Sequence, residues 1–195
     1  MDLIQPTREL LEALRAPVLA RFLAEWPDTT QRREVPAPAS LPVLGWLGQA
    51  TATASAFCKE LVTAVASAAP AMTWKQTYTA AQMGAAFLQN YGWCEIIGTS
   101  GAVPSDRLAC GFLLLGPHTF YPRHHHEAEE IYVPLVGTAV WEKGDEGWRE
   151  QRPGTVIHHP SHVLHAKRTS DEALLALYLW RSDNLRQKAQ LQEPN

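Results

Sequence analysis

Apolar positions recur at helical spacing over residues 7–26, where Leu10, Leu11, Leu14, Val18, Leu19, Phe22 and Leu23 fall on one side of a 3.6-residue period. Pro17 interrupts this stretch and predicts a kink or a division into two helices. A proline-rich connector follows over 35–42. Residues 50–69 and 79–90 are also predicted helices, bordered by Ser, Thr and Gly, the second with a Met/Phe/Leu face suited to packing. Near Tyr91 the pattern changes from alanine-rich helical sequence to short strand-like runs: 93–97, 108–115, 129–136, 138–143, 148–151, 155–158, 165–169 and 174–180. Gly137 and the Lys143-Gly144-Asp145-Glu146-Gly147 segment are turn signals between neighbouring runs, so antiparallel hairpins are expected. Eight short strands close most economically as a double-sheet jelly roll. The expected fold is therefore mainly β: a barrel over 92–195, preceded by a helical region over 1–91 that packs on the barrel or on a partner subunit in a homodimer.

Composition narrows the class of partner. A chain of 195 residues suits one domain with an appended segment. With 17 basic and 20 acidic side chains, net charge −3 and no Lys/Arg block, it carries no electrostatic footprint for nucleic acid, and a small molecule is the expected partner. Cys58, Cys94 and Cys110 form no C-x-x-C pair and read as buried thiols of a reducing compartment. The first ten residues lack the apolar core of a signal peptide, and no apolar run approaches the ~18 residues of a membrane span. A cytoplasmic protein without membrane contact is expected. G-x-S-x-G, P-loop, G-x-G-x-x-G and H-E-x-x-H motifs are absent, which argues against the corresponding hydrolase, nucleotide and zincin chemistries.

Candidate chemistry concentrates in one segment. All eight histidines fall between His118 and His165, and the densest run is His124-His125-His126-Glu127-Ala128-Glu129-Glu130-Ile131-Tyr132. Imidazoles beside a carboxylate make a hard or borderline metal site. On an extended backbone His124, His126, Glu130 and Tyr132 share parity and project to one side, with His125, Glu129 and Ile131 on the other. A further ligand comes from elsewhere, and the 154–165 segment offers His158, His159, His162 and His165.

At these residues the chain resembles a known family. His124-x-His126-x3-Glu130-x6-Gly137 is similar to the first cupin motif, and Gly154-x5-Pro160-x-His162-x2-His165 to the second. The resemblance implies His124, His126, Glu130 and His165 as ligands of one divalent transition metal: zinc, iron, manganese, nickel or cobalt. Gly116 stands two residues upstream of the motif's usual glycine, Thr155 replaces a usual acid, His162 a usual glycine and Thr169 a usual asparagine; none of these removes a ligand. The stretch from Phe120 to Leu135, with Trp180 and a helical region of about 90 residues before the barrel, resembles the cupin-type dimethylsulfoniopropionate lyases of the DddQ kind. That resemblance implies cleavage of dimethylsulfoniopropionate to acrylate and dimethyl sulfide.

Such a substrate presents a carboxylate, an acidic α-carbon and a sulfonium leaving group. Elimination needs a base at the α-carbon and a cation that stabilises charge developing on the carboxylate. Tyr132 is placed first as base and Tyr121 second, since a phenol of ordinary pKa ~10 ionises more readily beside a metal cation. Aromatic faces bind a sulfonium through their quadrupole. Trp180 and Tyr178 on barrel strands, Tyr121, and Trp74 covering the mouth from the helical region are the expected substrate contacts. The other readings are a different metal-dependent cupin enzyme, dioxygenase or isomerase, and a non-catalytic small-molecule-binding cupin.

Overall fold

The computed structural model describes residues 2–192. Helices α1 (Ile4–Ala13) and α2 (Leu19–Leu23) flank Pro17, as its lack of a donor requires. The helix expected over 50–69 is instead two, α3 (Leu47–Thr53) and α4 (Lys59–Ala68). Ala54 leaves α3 in an extended conformation, and the chain turns so that Cys58 is buried while Phe57 faces outward. The helix expected over 79–90 is likewise divided, into α5 (Ala80–Met83) and α6 (Ala85–Gln89), because Gly84 between them adopts φ +79°, outside the helical region. Thr79 opens α5 with a capping box to Gln82. No helix among the described residues is long and apolar enough to cross a membrane.

The strands are β1 (Tyr91–Gly98), β2 (Val103–Pro104), β3 (Leu108–Leu115), β4 (Phe120–His125), β5 (Glu129–Val136), β6 (Ala139–Lys143), β7 (Trp148–Gln151), β8 (Ile157–His159), β9 (His165–Thr169), β10 (Leu174–Arg181) and β11 (Gln190–Leu191). They form a six-stranded sheet in the order β2-β1-β3-β10-β5-β8 and a five-stranded sheet in the order β11-β4-β9-β6-β7. The jelly-roll expectation holds, with β2, β4 and β11 added to the predicted strands. Gly137 makes the β5–β6 turn at φ +79°, where a Cβ would lie 2.2 Å from the Ala173 carbonyl oxygen, so only glycine fits.

The six-stranded sheet is buried on both faces. Cys110, Phe112 and Leu114 of β3, Ile131, Val133 and Leu135 of β5, and Leu175, Leu177 and Leu179 of β10 share one core with Leu11, Phe22, Val62 and Val65 of the helical region. Their alternates, Ala109, Leu113, Tyr132, Ala176 and Tyr178, join a second cluster inside the barrel with Tyr78, Tyr91, Tyr121 and Trp141. Double burial explains why β3 reads as an unbroken apolar run instead of an alternating one.

Candidate active site

Register brings the predicted residues together from both sheets. On the six-stranded sheet Glu130 and Tyr132 of β5 lie opposite Trp180 and Tyr178 of β10. On the five-stranded sheet Tyr121 and His124 of β4 lie opposite Lys167 and His165 of β9, with an irregularity between the two pairs. That bulge places one more residue on β4 than on β9, and so Tyr121, of odd number, faces inward with His124, of even number. Their rings stack at 4.2 Å with 9° between planes. His124, His126, Glu130 and Tyr132 are all buried, as their shared parity implied, and His125 is not.

His126, Glu130 and His165 offer ligand atoms within 4.8 Å of one another. Nε2 of His126 and Nε2 of His165 lie 3.3 and 3.2 Å from Oε2 of Glu130. The other ring nitrogens are committed: Nδ1 of His126 is 2.8 Å from the Ala128 carbonyl oxygen, and Nδ1 of His165 2.9 Å from that of Val163. A carbonyl only accepts, so each Nδ1 carries the proton and each Nε2 presents a lone pair inward. Both Nε2 atoms are buried without a hydrogen-bond partner. Two orphaned imidazole lone pairs aimed at one carboxylate fit a divalent transition metal. His124 likewise has its Nδ1 2.8 Å from the Pro122 carbonyl oxygen and its ring 4.1 Å from that of His165, but at 6.4 Å from the His126 ring it is not among the residues whose ligand atoms lie within 4.8 Å of one another.

Electrostatics keeps the set ready to ligate. Burial and the neighbouring His165 hold His124 well below its ordinary pKa, and burial also lowers His165, so both imidazoles are neutral. Burial alone would raise Glu130, but His126, His159 and His165 outweigh it and hold the carboxyl well below the usual range. Trp180 donates its indole N–H to Oε1 of Glu130 at 2.6 Å, which fixes the carboxylate plane. The phenols are protonated in this environment: burial pushes Tyr121 and Tyr132 well above 10, Tyr132 further so by the Glu130 charge. The Tyr121 hydroxyl is also paired with that of Tyr78 at 3.0 Å.

A cavity of about 360 Å³ opens over this cluster, and Tyr121, His124, Glu130, Tyr132, Tyr178 and Trp180 line it. Trp93 and Glu95 of β1, on the same sheet as β5 and β10, also line it. The segment after β10 crosses the mouth with Leu185, Arg186, Gln187 and Lys188, and is tied down where Gln187 accepts the Glu127 backbone N–H at 2.7 Å and β11 pairs with β4.

Some expectations need correction. Trp74 does not cover the mouth: it is buried in the core shared by the helices and the outer sheet face, its indole donating to the Ala69 carbonyl, while its neighbour Lys75 bridges to Trp93 at the edge of β1 and lines the cavity. Among the second-segment histidines, His162 is exposed and His158 pairs with Glu129. His159 instead supports the triad from behind: it is fully buried, its Nδ1 3.1 Å from Oε2 of Glu130 and its ring stacked 4.1 Å from that of His165. Lys167, which sequence reasoning passed over, is buried behind the site against the Tyr121 and Tyr132 rings. Its parity with His165 on β9 was the available signal, since it aims the side chain into the barrel.

A family model for dimethylsulfoniopropionate lyase matches residues 15–176. The chain belongs to the dimethylsulfoniopropionate lyase family. It is 34% identical over 172 residues to dimethylsulfoniopropionate lyase DddQ of Ruegeria pomeroyi, covering 87% of this chain and 83% of that one. A crystal structure of DMSP lyase DddQ from Ruegeria pomeroyi matches with TM-score 0.83 at 29% identity, over 97% of this chain and 96% of that one. A structure described as DMSP lyases RdDddP and RnDddQII matches with TM-score 0.87 at 30% identity, over 98% and 96%. A cupin-2 domain from Rhodospirillum rubrum, 18% identical with TM-score 0.50 over 64% of this chain and 77% of that one, shares the barrel fold. The resemblance first drawn from the motifs is thus confirmed at the level of family and fold.

Proposed function

We propose that the protein is a metal-dependent carbon–sulfur lyase that cleaves dimethylsulfoniopropionate to acrylate and dimethyl sulfide by α-proton abstraction and β-elimination. The observation that carries this reading is the His126–Glu130–His165 triad, with two unpartnered imidazole nitrogens, in one cavity with the phenols of Tyr121 and Tyr132. These three residues would hold the metal, with His124 the fourth candidate beside them. When bound, a divalent cation supplies Lewis-acid stabilisation of a substrate carboxylate and a positive field that eases ionisation of a nearby phenol.

The protein's own groups then have separate roles. Tyr132, whose proton would be lost to solvent when a cation is bound, takes the α-proton as phenolate and returns to the neutral phenol; its hydroxyl, unlike that of Tyr121, has no phenol partner. The C–H electron pair becomes the new C=C bond, and the C–S pair leaves with sulfur as neutral dimethyl sulfide. Tyr121, held by Tyr78 and stacked on His124, shapes the wall over the triad. The sulfonium end meets aromatic surface: Trp93 and Tyr178 meet edge to face at 6.5 Å, and Trp180 lies beside Glu130. Exclusion of water by this apolar wall strengthens each charge interaction inside it. The cytoplasmic setting expected from the sequence is consistent with three free, buried thiols.

Headspace detection of dimethyl sulfide tests the proposal. Purified protein refilled with zinc, iron, manganese, nickel or cobalt in turn should release dimethyl sulfide from dimethylsulfoniopropionate, and a chelator should stop it. Tyr132→Phe should retain metal and lose activity by roughly 10³-fold. No chelator-sensitive release from protein with metal demonstrably bound would sink the reading.

A further inference from the structure

Among the described residues, Nζ of Lys167 is fully buried and has no hydrogen-bond partner. Burying an unpaired amine in an apolar interior costs on the order of several kcal/mol, and an isosteric apolar side chain would fill the same volume without that cost. What surrounds the nitrogen is aromatic. It lies 3.9 Å from the ring centroid of Tyr132, 4.7 Å from that of Tyr121 and 4.8 Å from that of Trp141.

Register explains this box. β9 runs between β4 and β6, so Tyr121 and Trp141 are the strand partners of Lys167 on its two sides. Tyr132 closes over it from the opposite sheet. As ammonium or as neutral amine, the N–H bonds have only π faces to point at. Lys167 is not part of the cavity lining, but Tyr121 and Tyr132 are, so their rings stand between the amine and any substrate. A costly group whose contacts are the rings of both candidate bases stands where a stability-optimised core would hold a hydrocarbon.

We propose that Lys167 is a positioning residue: its amine fixes the ring planes of Tyr121 and Tyr132, and thereby the placement of both phenolic oxygens relative to the His126–Glu130–His165 site. This rests on the lyase reading for its functional meaning but not for its structural content. The test is Lys167→Met, with Lys167→Arg as the variant that keeps N–H groups on the rings. In metal-free protein labelled at the tyrosine ring carbons, Lys167→Met should shift the Tyr121 and Tyr132 resonances and speed their ring flips. Tyr178, which does not touch the amine, is the internal control. The melting temperature of Lys167→Met should equal or exceed that of the unsubstituted protein.

With metal loaded, Lys167→Met should lose roughly 100-fold in kcat, the scale of a small misplacement of a reacting group, while KM and metal content hold within about threefold. Lys167→Arg should recover at least about a tenth of the original kcat. Unmoved tyrosine resonances, a lower melting temperature, a loss carried by KM or metal content, or an arginine variant no better than methionine would each overturn the proposal. Absence of dimethyl sulfide release from the unsubstituted protein would instead count against the lyase reading, and the resonance measurement would still decide ring positioning.

Discussion

Strand β10 shows two kinds of interior on the two sides of one backbone. Outward, Leu175, Leu177 and Leu179 pack against the helical region in a core made of hydrocarbon. Inward, Ala176, Tyr178 and Trp180 face the barrel, where Nε2 of His126, His159 and His165, Nζ of Lys167 and Nε1 of Trp141 are buried without partners. On the helical side the buried orphans are Oγ1 of Thr7 and Nε1 of Trp26. Native interiors normally satisfy such groups, so their concentration inside the barrel marks polar capacity kept for a ligand. The outer face holds the fold together and the inner face holds chemistry at a cost to stability.

The largest effect should come from striking the inner face. Glu130→Gln keeps the shape but removes the charge both imidazoles face, and should lower kcat/KM by about three to four orders of magnitude, roughly 4–5.5 kcal/mol of transition-state stabilisation. Metal content by elemental analysis should fall with it. Unchanged metal content and kcat/KM in this variant would mean that the inner face is structural after all.

Acid should separate the faces next. Burial lowers His159 from 6.5 to about 3, with His124 and His165 also below their ordinary values, so between those limits the unfolded chain binds more protons than the folded one. Glu130, its folded pKa below 4.5, acts in the same direction at lower pH. The stability these groups contribute is present above about 6.5 and is lost as pH falls toward 3, at about 1.4 kcal/mol for each tenfold difference in a group's proton affinity between the folded and unfolded chain. Denaturant midpoints of metal-free protein from pH 7.5 to 4 should therefore fall; a flat profile would mean that the histidines are not held neutral.

On the outer face Leu177→Ala should cost about 3 kcal/mol of unfolding free energy by cavity creation, while kcat per folded molecule stays within about twofold. A specific loss of kcat in the folded fraction would break the division between the faces.

The same division governs how much is legible from sequence. β5 and β10 stand out because apolar residues dominate both faces, and the histidine-rich segment stands out because no histidine occurs before residue 118 or after residue 165. β4 escapes detection as a strand because its Phe-Tyr-Pro-Arg-His-His sequence serves the site and carries no apolar alternation. Its bulge, which turns Tyr121 inward, has no local signature. Trp74 belongs to the outer core and not the mouth, and an indole's chemistry does not say which of the two it enters; the pairing of Lys75 with Trp93 at the edge of β1, which sends Lys75 to the cavity and Trp74 to the core, decides that. Lys167, in the run His165-Ala-Lys-Arg-Thr169, reads like a solvated strand end until three rings from three strands close around it.

The smallest expected effect falls on a residue that combines both kinds of interaction. Trp180 presents an indole face to the cavity and donates its N–H to Oε1 of Glu130 at 2.6 Å. Trp180→Phe retains an aromatic face but removes the donor, and a hydrogen bond to a charged group is worth about 1.5–3 kcal/mol, so kcat/KM should fall roughly 10- to 100-fold. How the loss divides identifies the role. If the N–H acts by fixing the carboxylate, metal affinity weakens and KM measured at saturating metal stays near its original value. If the ring acts as the sulfonium's contact, metal is retained and KM rises, because the quadrupole of Phe is weaker than that of Trp. Titrating metal into the variant before measuring KM distinguishes the two, and the short contact to Glu130 makes the first the expected result.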